Sequence, residues 1–287
     1  AARDLANWST QPAEGLLLWI LRARESGTVD DDETAAAFEI VLSFMARRQL
    51  AGYEPNLHKS IFVHATRKLR SHEYASGAEV VDYLRYILSV GSDVRTWPSD
   101  TALYASARTQ PIYSHSRRGW TFSLLERLNR GMFTISKHEP PPLDRSKYSI
   151  EHVMPQSLSA EWQRDLASWG VENPVERHQE LVHVLGNLTL TPINSELGRA
   201  SFTRKRELLE DDWLRLNRRI SDADSWSAAR IDERSGELAS IACTVYVPPL
   251  DRDQLQEAAV KFGERILEVE VDDDDDLADE DDTDADD

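Results

Sequence analysis

Two short segments far apart in the chain limit its fold more than any other feature. The first is Ile150-Glu151-His152-Val153-Met154-Pro155-Gln156, a carboxylate beside an imidazole at the end of a short apolar run. The second is His183-Val184-Leu185-Gly186-Asn187-Leu188-Thr189-Leu190-Thr191-Pro192-Ile193-Asn194, an apolar run with one asparagine before it and one after. Tyr148 to Met154 reads as a strand closed by Pro155, and Leu185 to Thr191 as a second strand. Thr191 suits a helix N-cap. Pro192 suits the first helical position, where its missing N–H costs nothing. The pattern predicts a strand–strand–helix unit that gathers a base, oxygen donors and an amide.

The flanks of this unit read as helical, so the expected fold class is mainly α: a helical scaffold enclosing a small ββα unit. Asp30 to Leu50 carries Ala37, Ile40, Val41, Phe44 and Met45 at helical spacing, acids in its first turn, Arg47 and Arg48 in its last, and Gly52 as a stop. Ser76-Gly77-Ala78-Glu79 has the form of a capping box ahead of Val80, Val81, Leu84, Ile87 and Leu88, and Gly91 ends that segment. Trp120 to Leu128 is a further amphipathic stretch. His58, His64 and His72 are scattered, so residues 1–130 show no chemistry at ligand spacing. Pro140-Pro141-Pro142 breaks the composition. The division expected is 1–140 helical scaffold, 141–215 ββα unit, 216–271 C-terminal helices and 272–287 a disordered acidic tail. Within 156–182 a short helix is expected from Ser159 to Trp169, with a loop at Gly170 and Pro174. The helix after the second strand is interrupted near Gly198 and restarts at Ser201, running through Leu216. Later helices are expected over about 222–243 and 252–268, separated by Pro248-Pro249.

One cysteine, Cys243, excludes a disulfide framework and a cysteine-built zinc site, and fits a reducing compartment. No apolar run approaches membrane-spanning length. Leu16 to Leu21 is too short and reads as a buried helix turn. The chain opens Ala1-Ala2-Arg3-Asp4, with no signal peptide, and reads as a fragment of a longer protein. Its net charge is −18, but residues 272–287 hold twelve acids and no base, leaving −6 for residues 1–271. Two regions flanking the motif are basic. One is 115–147, with Arg117, Arg118, Arg127, Arg130, Lys137, Arg145 and Lys147. The other is 199–219, with Arg199, Arg204, Lys205, Arg206, Arg215, Arg218 and Arg219. A polyanion needs a local positive surface, not a positive total. The same residues also read as solvated helix faces of mixed charge.

A base, a metal ligand and a polar brace on such a unit are what metal-dependent phosphodiester hydrolysis requires. His152 can take a proton from water as a neutral imidazole. Glu151 offers a hard oxygen to a cation such as magnesium. Strand neighbours point to opposite faces, so both serve one site only where the backbone is irregular. Asn194, in the first turn of the following helix, can add a second oxygen. Asn187, early in the second strand, can tie the loop around His152, since an amide donates and accepts. His183 can brace the site or orient a phosphate. Arg199, Arg204 and Lys205 can reach phosphate oxygens.

At these residues the chain resembles the HNH, or His-Me finger, endonucleases, whose ββα-metal unit cleaves DNA. It is similar more closely to the C-terminal nuclease domain of GmrSD-type modification-dependent restriction enzymes, and to the nuclease half of SspE-like phosphorothioate-sensing proteins. The matching features are Ser149 to Gln156, His183 to Thr191, Asn194, Phe202 and Lys205. The resemblance implies His152 as general base, Glu151 and Asn194 as metal ligands, and Asn187 as a brace. It implies a bacterial, cytoplasmic anti-phage enzyme acting on double-stranded DNA. A further N-terminal domain would hydrolyse nucleotide and sense the modification. The third motif position is Asn194, not histidine, which suits Mg2+ or Mn2+ better than zinc or nickel. The implied reaction is in-line attack by water, giving a nick with a 5′-phosphate and a 3′-hydroxyl. Two other readings stay open: a non-catalytic DNA-binding or interaction module with the ββα shape, and a helical adaptor acting through residues 1–130 and 216–271. The acidic tail reads either as a DNA mimic restraining the basic surface or as a solubilising terminus.

Overall fold

Short polar side chains ahead of apolar-periodic stretches cap half of the described α-helices in the computed structural model, which describes residues 2–6, 11–133 and 140–264. The chain is mainly α. α1 (Ala2–Ala6) and α2 (Glu14–Glu25) lead into α3 (Asp31–Leu50). At the head of α3, Asp30 accepts from the Glu33 N–H and Glu33 accepts from the Asp30 N–H, completing a capping box. Gly52, at φ 80°, turns the chain out of α3. α2 buries Leu16 and Ile20 but leaves Leu18 and Leu21 exposed, so the apolar run there is only half covered. α4 (His58–Ser71), α5 (Gly77–Ser89), α6 (Asp100–Thr109) and α7 (Arg118–Gly131) follow. Ser76 caps α5 through the Glu79 N–H, but the Glu79 carboxylate accepts from Ala75 instead, so the expected box is half formed.

The strands are shorter than the apolar runs suggested. β1 is Ser149–His152 and β2 is Leu188–Thr191, antiparallel, with Ser149 opposite Thr191 and His152 opposite Leu188. Leu185–Asn187 forms a 3-10 turn ahead of β2, because the Gly186 N–H goes to Ser235 Oγ and the Asn187 N–H to the Val184 carbonyl. A Cβ on Gly186 would sit 2.0 Å from the Ile231 carbonyl oxygen, so only glycine lets this turn approach so closely. Between the strands run α8 (Ala160–Ser168), capped by Ser159, and α9 (Pro174–Leu181). The expected loop at Pro174 is therefore a helix: Asn173 turns through φ 48° and Pro174 takes the first helical position.

Thr191 is not a helix cap. Pairing with Ser149 keeps it in β2, its hydroxyl accepts from Ile193, and α10 (Asn194–Leu197) starts beyond Pro192. α10 stops at Gly198, φ 29°, and α11 (Phe202–Leu209) restarts from the Ser201 cap, as the spacing predicts. The helix does not continue to Leu216. Asp212 accepts from the Leu214 N–H and from Asn217 Nδ2, which turns the chain into a separate α12 (Arg215–Ser221). α13 (Ala228–Val245) begins six residues later than the expected 222–243, and α14 (Arg252–Lys261) starts at 252 as expected but ends at Lys261, short of 268; residues 265–268 lie outside the described residues. The acidic tail lies outside the described residues. No described helix is long and apolar enough to cross a membrane.

β2 is buried along its whole length. Leu188 and Leu190 join the larger core with Phe44, Leu124 and Leu238, while Val153 and Met154, after β1, join a smaller one with Trp162, Phe202 and Trp226. The strand pair thus sits between two cores. Arg234 pins it from α13: Nη1 donates to the Gly186 and Leu188 carbonyls and Nη2 to the Leu216 carbonyl. Complete burial, with Arg230 adding to it, pushes the Arg234 guanidinium down to about 9.

The scaffold holds a pH-sensitive group. His58 is buried against Phe44 and Phe62, and its Nε2 has no hydrogen-bond partner among the described residues. Burial, reinforced by Arg48, pushes it down to about 4 from its ordinary 6.5. The unfolded chain therefore binds this proton more readily than the folded one. The contribution is full above pH 6.5 and is lost as pH falls toward 4, by about 3 kcal/mol. Urea unfolding at pH 7 and 4.5 is expected to show a smaller acid loss for His58→Leu than for the natural sequence. Equal losses in both would show that His58 is not the group responsible.

Candidate active site

The register of β1 stays regular to its last pair, so adjacent side chains reach different partners. The Glu151 carboxylate receives Lys205 Nζ from α11, and the same ammonium donates to the His152 carbonyl at 2.9 Å. The His152 imidazole meets another set of groups. Its Nε2 lies 3.2 Å from His183 Nδ1, and the Tyr113 ring stands perpendicular to it with centroids 4.6 Å apart. Tyr113 also stacks on His183 at 5.5 Å. The segment carrying Tyr113 is tied to the site by the backbone: Pro111 pairs with Val184, and the Ile112 N–H donates to the His183 carbonyl at 2.9 Å.

His152 is 4% exposed. No described residue bonds its Nδ1, and that nitrogen keeps a share of the remaining exposure. Burial, with His183, Lys205 and His178 adding to it, pushes the ring down to about 3. His183 is lowered by burial first and then by His178. Both rings are neutral at pH 7, so one donates and the other accepts across the Nε2–Nδ1 contact. If His152 donates, its open Nδ1 keeps the lone pair. Burial pushes Glu151 up and Lys205 down, and each partner opposes the shift of the other.

Asn187 has no exposed surface and all four of its hydrogen-bonding positions are filled. Oδ1 accepts from the Met154 N–H at 2.7 Å and from Trp226 Nε1 at 2.9 Å; Nδ2 donates to the Met154 and Val182 carbonyls, each at 2.9 Å. It does this from the 3-10 turn, not from within the strand. Asn194 Nδ2 donates to Ser149 Oγ and to the Ile150 carbonyl, each at 2.9 Å, and its amide oxygen accepts no bond from a described residue. His152, His183 and Asn187 thus meet at the Leu188 end of the strand pair, with Glu151 next to His152, whereas Asn194 sits at the Ser149 end.

Of the three basic residues only Lys205 reaches these groups. Arg199 is exposed, with Nη2 3.5 Å from Ser157 Oγ, and Arg204 is exposed and paired with Glu207 at 3.0 Å. Lys205 was expected beside them at the surface but is fully buried. It shares the inward face of α11 with Phe202 and Leu209, and the Glu151 carboxylate compensates its charge there. In the basic stretch 115–147, Arg127 and Arg130 also turn inward, to Asp4. No sequence pattern marks Tyr113, which lies in a stretch read as scaffold, nor His178, whose Nε2 lies 2.8 Å from the Pro155 carbonyl, nor Trp226. Each reaches the site from a different element, and no local spacing records such contacts.

A family model described as GmrSD restriction endonucleases, C-terminal domain, matches residues 97–241. That span is just over half of the chain and runs from before Tyr113 to beyond Trp226, so it holds every residue of the site. No curated protein matches the chain.

Proposed function

Because the chain belongs to the family of GmrSD restriction endonuclease C-terminal domains, we propose that it is an HNH-type unit that nicks double-stranded DNA with His152 as its general base. Membership makes an endonuclease acting on DNA the coarse assignment. One observation carries the finer reading: a neutral imidazole whose Nε2 is engaged by His183 while its Nδ1 stays open. Nδ1 takes the proton of the attacking water. Nε2–H, donated to His183 Nδ1, fixes the tautomer in which Nδ1 is basic. Burial weakens that base, and the negative charge of a docked phosphate restores part of its proton affinity.

In-line displacement at phosphorus puts the attacking and leaving oxygens on opposite sides. The separate partners of His152 and Glu151 suit that division, with the base among one set of groups and the carboxylate in another. The donors, the Glu151 carboxylate and the Asn194 amide oxygen, are hard and few. That set fits Mg2+ or Mn2+, which retain several waters, and not a structural zinc. A cation held by these two residues would supply charge stabilisation for the leaving 3′ oxygen. Lys205 holds the carboxylate in place, and the exposed Arg199 and Arg204 are available to phosphates. In a bacterial restriction system, a nucleotide-hydrolysing, modification-sensing N-terminal domain would direct this unit to its target.

Supercoiled plasmid is expected to become nicked circle in Mg2+ or Mn2+ and to stay supercoiled in excess EDTA. Plasmid left intact in every metal tested would overturn the reading, and full cleavage in EDTA would remove the cation from it. The Lys205 contact favours one alternative: a carboxylate that already has a cationic partner suits a non-catalytic DNA-binding module. That module would bind the plasmid in the same assay without cutting it.

A further inference from the structure

We infer that α4 carries a track for the DNA backbone that leads away from the site, an inference resting on the nuclease reading above. α4 holds Lys59, Arg67, Lys68 and Arg70 and no acid, within a chain of net charge −18. Lys59, Val63, Arg67 and Arg70 are three to four residues apart and form one stripe. All four are exposed. Lys68 is engaged by Glu264, whereas Lys59, Arg67 and Arg70 make no ion pair with a described residue. Beside the stripe, burial first and then Lys68, Arg67 and Arg95 hold the His64 imidazole below its ordinary range, against Glu264.

The stripe is joined to the site. Glu54, just ahead of α4, lies 3.7 Å from Arg117. Arg117 and the exposed Arg118 follow closely on Tyr113, whose ring stands against His152. Arg117 and Arg118 thus lie between Tyr113 and the start of α4, with Glu54 between Arg117 and Lys59, and Glu73 and Glu264 are further acids near the stripe. From Lys59 to Arg70 the helix rises ~17 Å. One DNA strand presents a phosphate about every 3.4 Å along its axis, so three contacts fit within that length. Such contacts add affinity and position the duplex without reading sequence.

The test compares the full chain carrying His152→Ala, so that DNA stays uncut, with the same chain also carrying Lys59→Gln, Arg67→Gln and Arg70→Gln. Binding to a labelled duplex is followed by fluorescence anisotropy over a salt series, with melting temperature as the check on folding. The triple change is expected to weaken binding and to make the slope of log affinity against log salt shallower by roughly 2.7, or about 0.9 per phosphate contact. An unchanged slope and affinity would overturn the track and leave the stripe to solvent or to an acidic protein segment such as 272–287. The two readings fail separately. His152-dependent nicking with an unchanged slope removes only the track, whereas a lost slope without nicking by the natural sequence removes only the catalytic reading.

Discussion

Nicking of supercoiled plasmid is expected to fall by at least about 10²–10⁴-fold in His152→Ala, the usual contribution of a positioned general base, while the chain stays folded. The imidazole makes one side-chain hydrogen bond, to His183, and an edge contact with Tyr113. What holds the strand end lies elsewhere: the His152 carbonyl accepts from Lys205, and the Val153 N–H donates to the Asn187 carbonyl. Both are backbone bonds that alanine keeps. The stability cost is then a small cavity and one lost hydrogen bond between neutral groups, about 1–3 kcal/mol. Circular dichroism should report unchanged helix content. Cleavage by the folded variant at the rate of the natural sequence would rule out His152 as the base, whatever becomes of the family assignment.

The largest effect on stability is expected from Asn187→Asp. The change keeps the shape of the side chain but replaces a group that donates twice with one that accepts. The new oxygen would face the Met154 and Val182 carbonyls at the positions where Nδ2 now donates. It would also place a charge where no surface is exposed and no cation is bonded to it. Uncompensated buried charge of this kind costs about 3–5 kcal/mol. Denaturant unfolding at pH 7 should show a loss of that order. The loss should shrink in acid, where the new carboxyl is protonated and can donate once. Met154 is two residues past His152, so nicking should fall in the variant even under conditions where it remains folded. A loss below about 1 kcal/mol would mean that Asn187 does not brace this loop.

The helices of this protein are legible in its sequence because their signals are local. Asp30 and Glu33 cap α3, Ser201 restarts α11 after Gly198, and apolar spacing marks the buried face of each. Errors came where a distant partner claimed a local group. Thr191 has the chemistry of a cap, but Ser149 holds it in the sheet. Leu185 and Asn187 have the look of strand residues, but Ser235 and Arg234 of α13 draw the turn down onto that helix. Lys205 reads as a surface base, and its burial becomes clear only once Glu151 is seen beneath it.

The sequence by itself determined the class of the fold and which segments carry the site, since periodicity, capping and the two motifs are written in consecutive residues. Tertiary structure alone decided what surrounds each group. It set His183 and Tyr113 against His152, gave Glu151 its cation partner, filled every bond of Asn187, and left one imidazole nitrogen open. Proton affinity and tautomer follow from burial and from neighbours brought in by other elements, and neither quantity has a local signature.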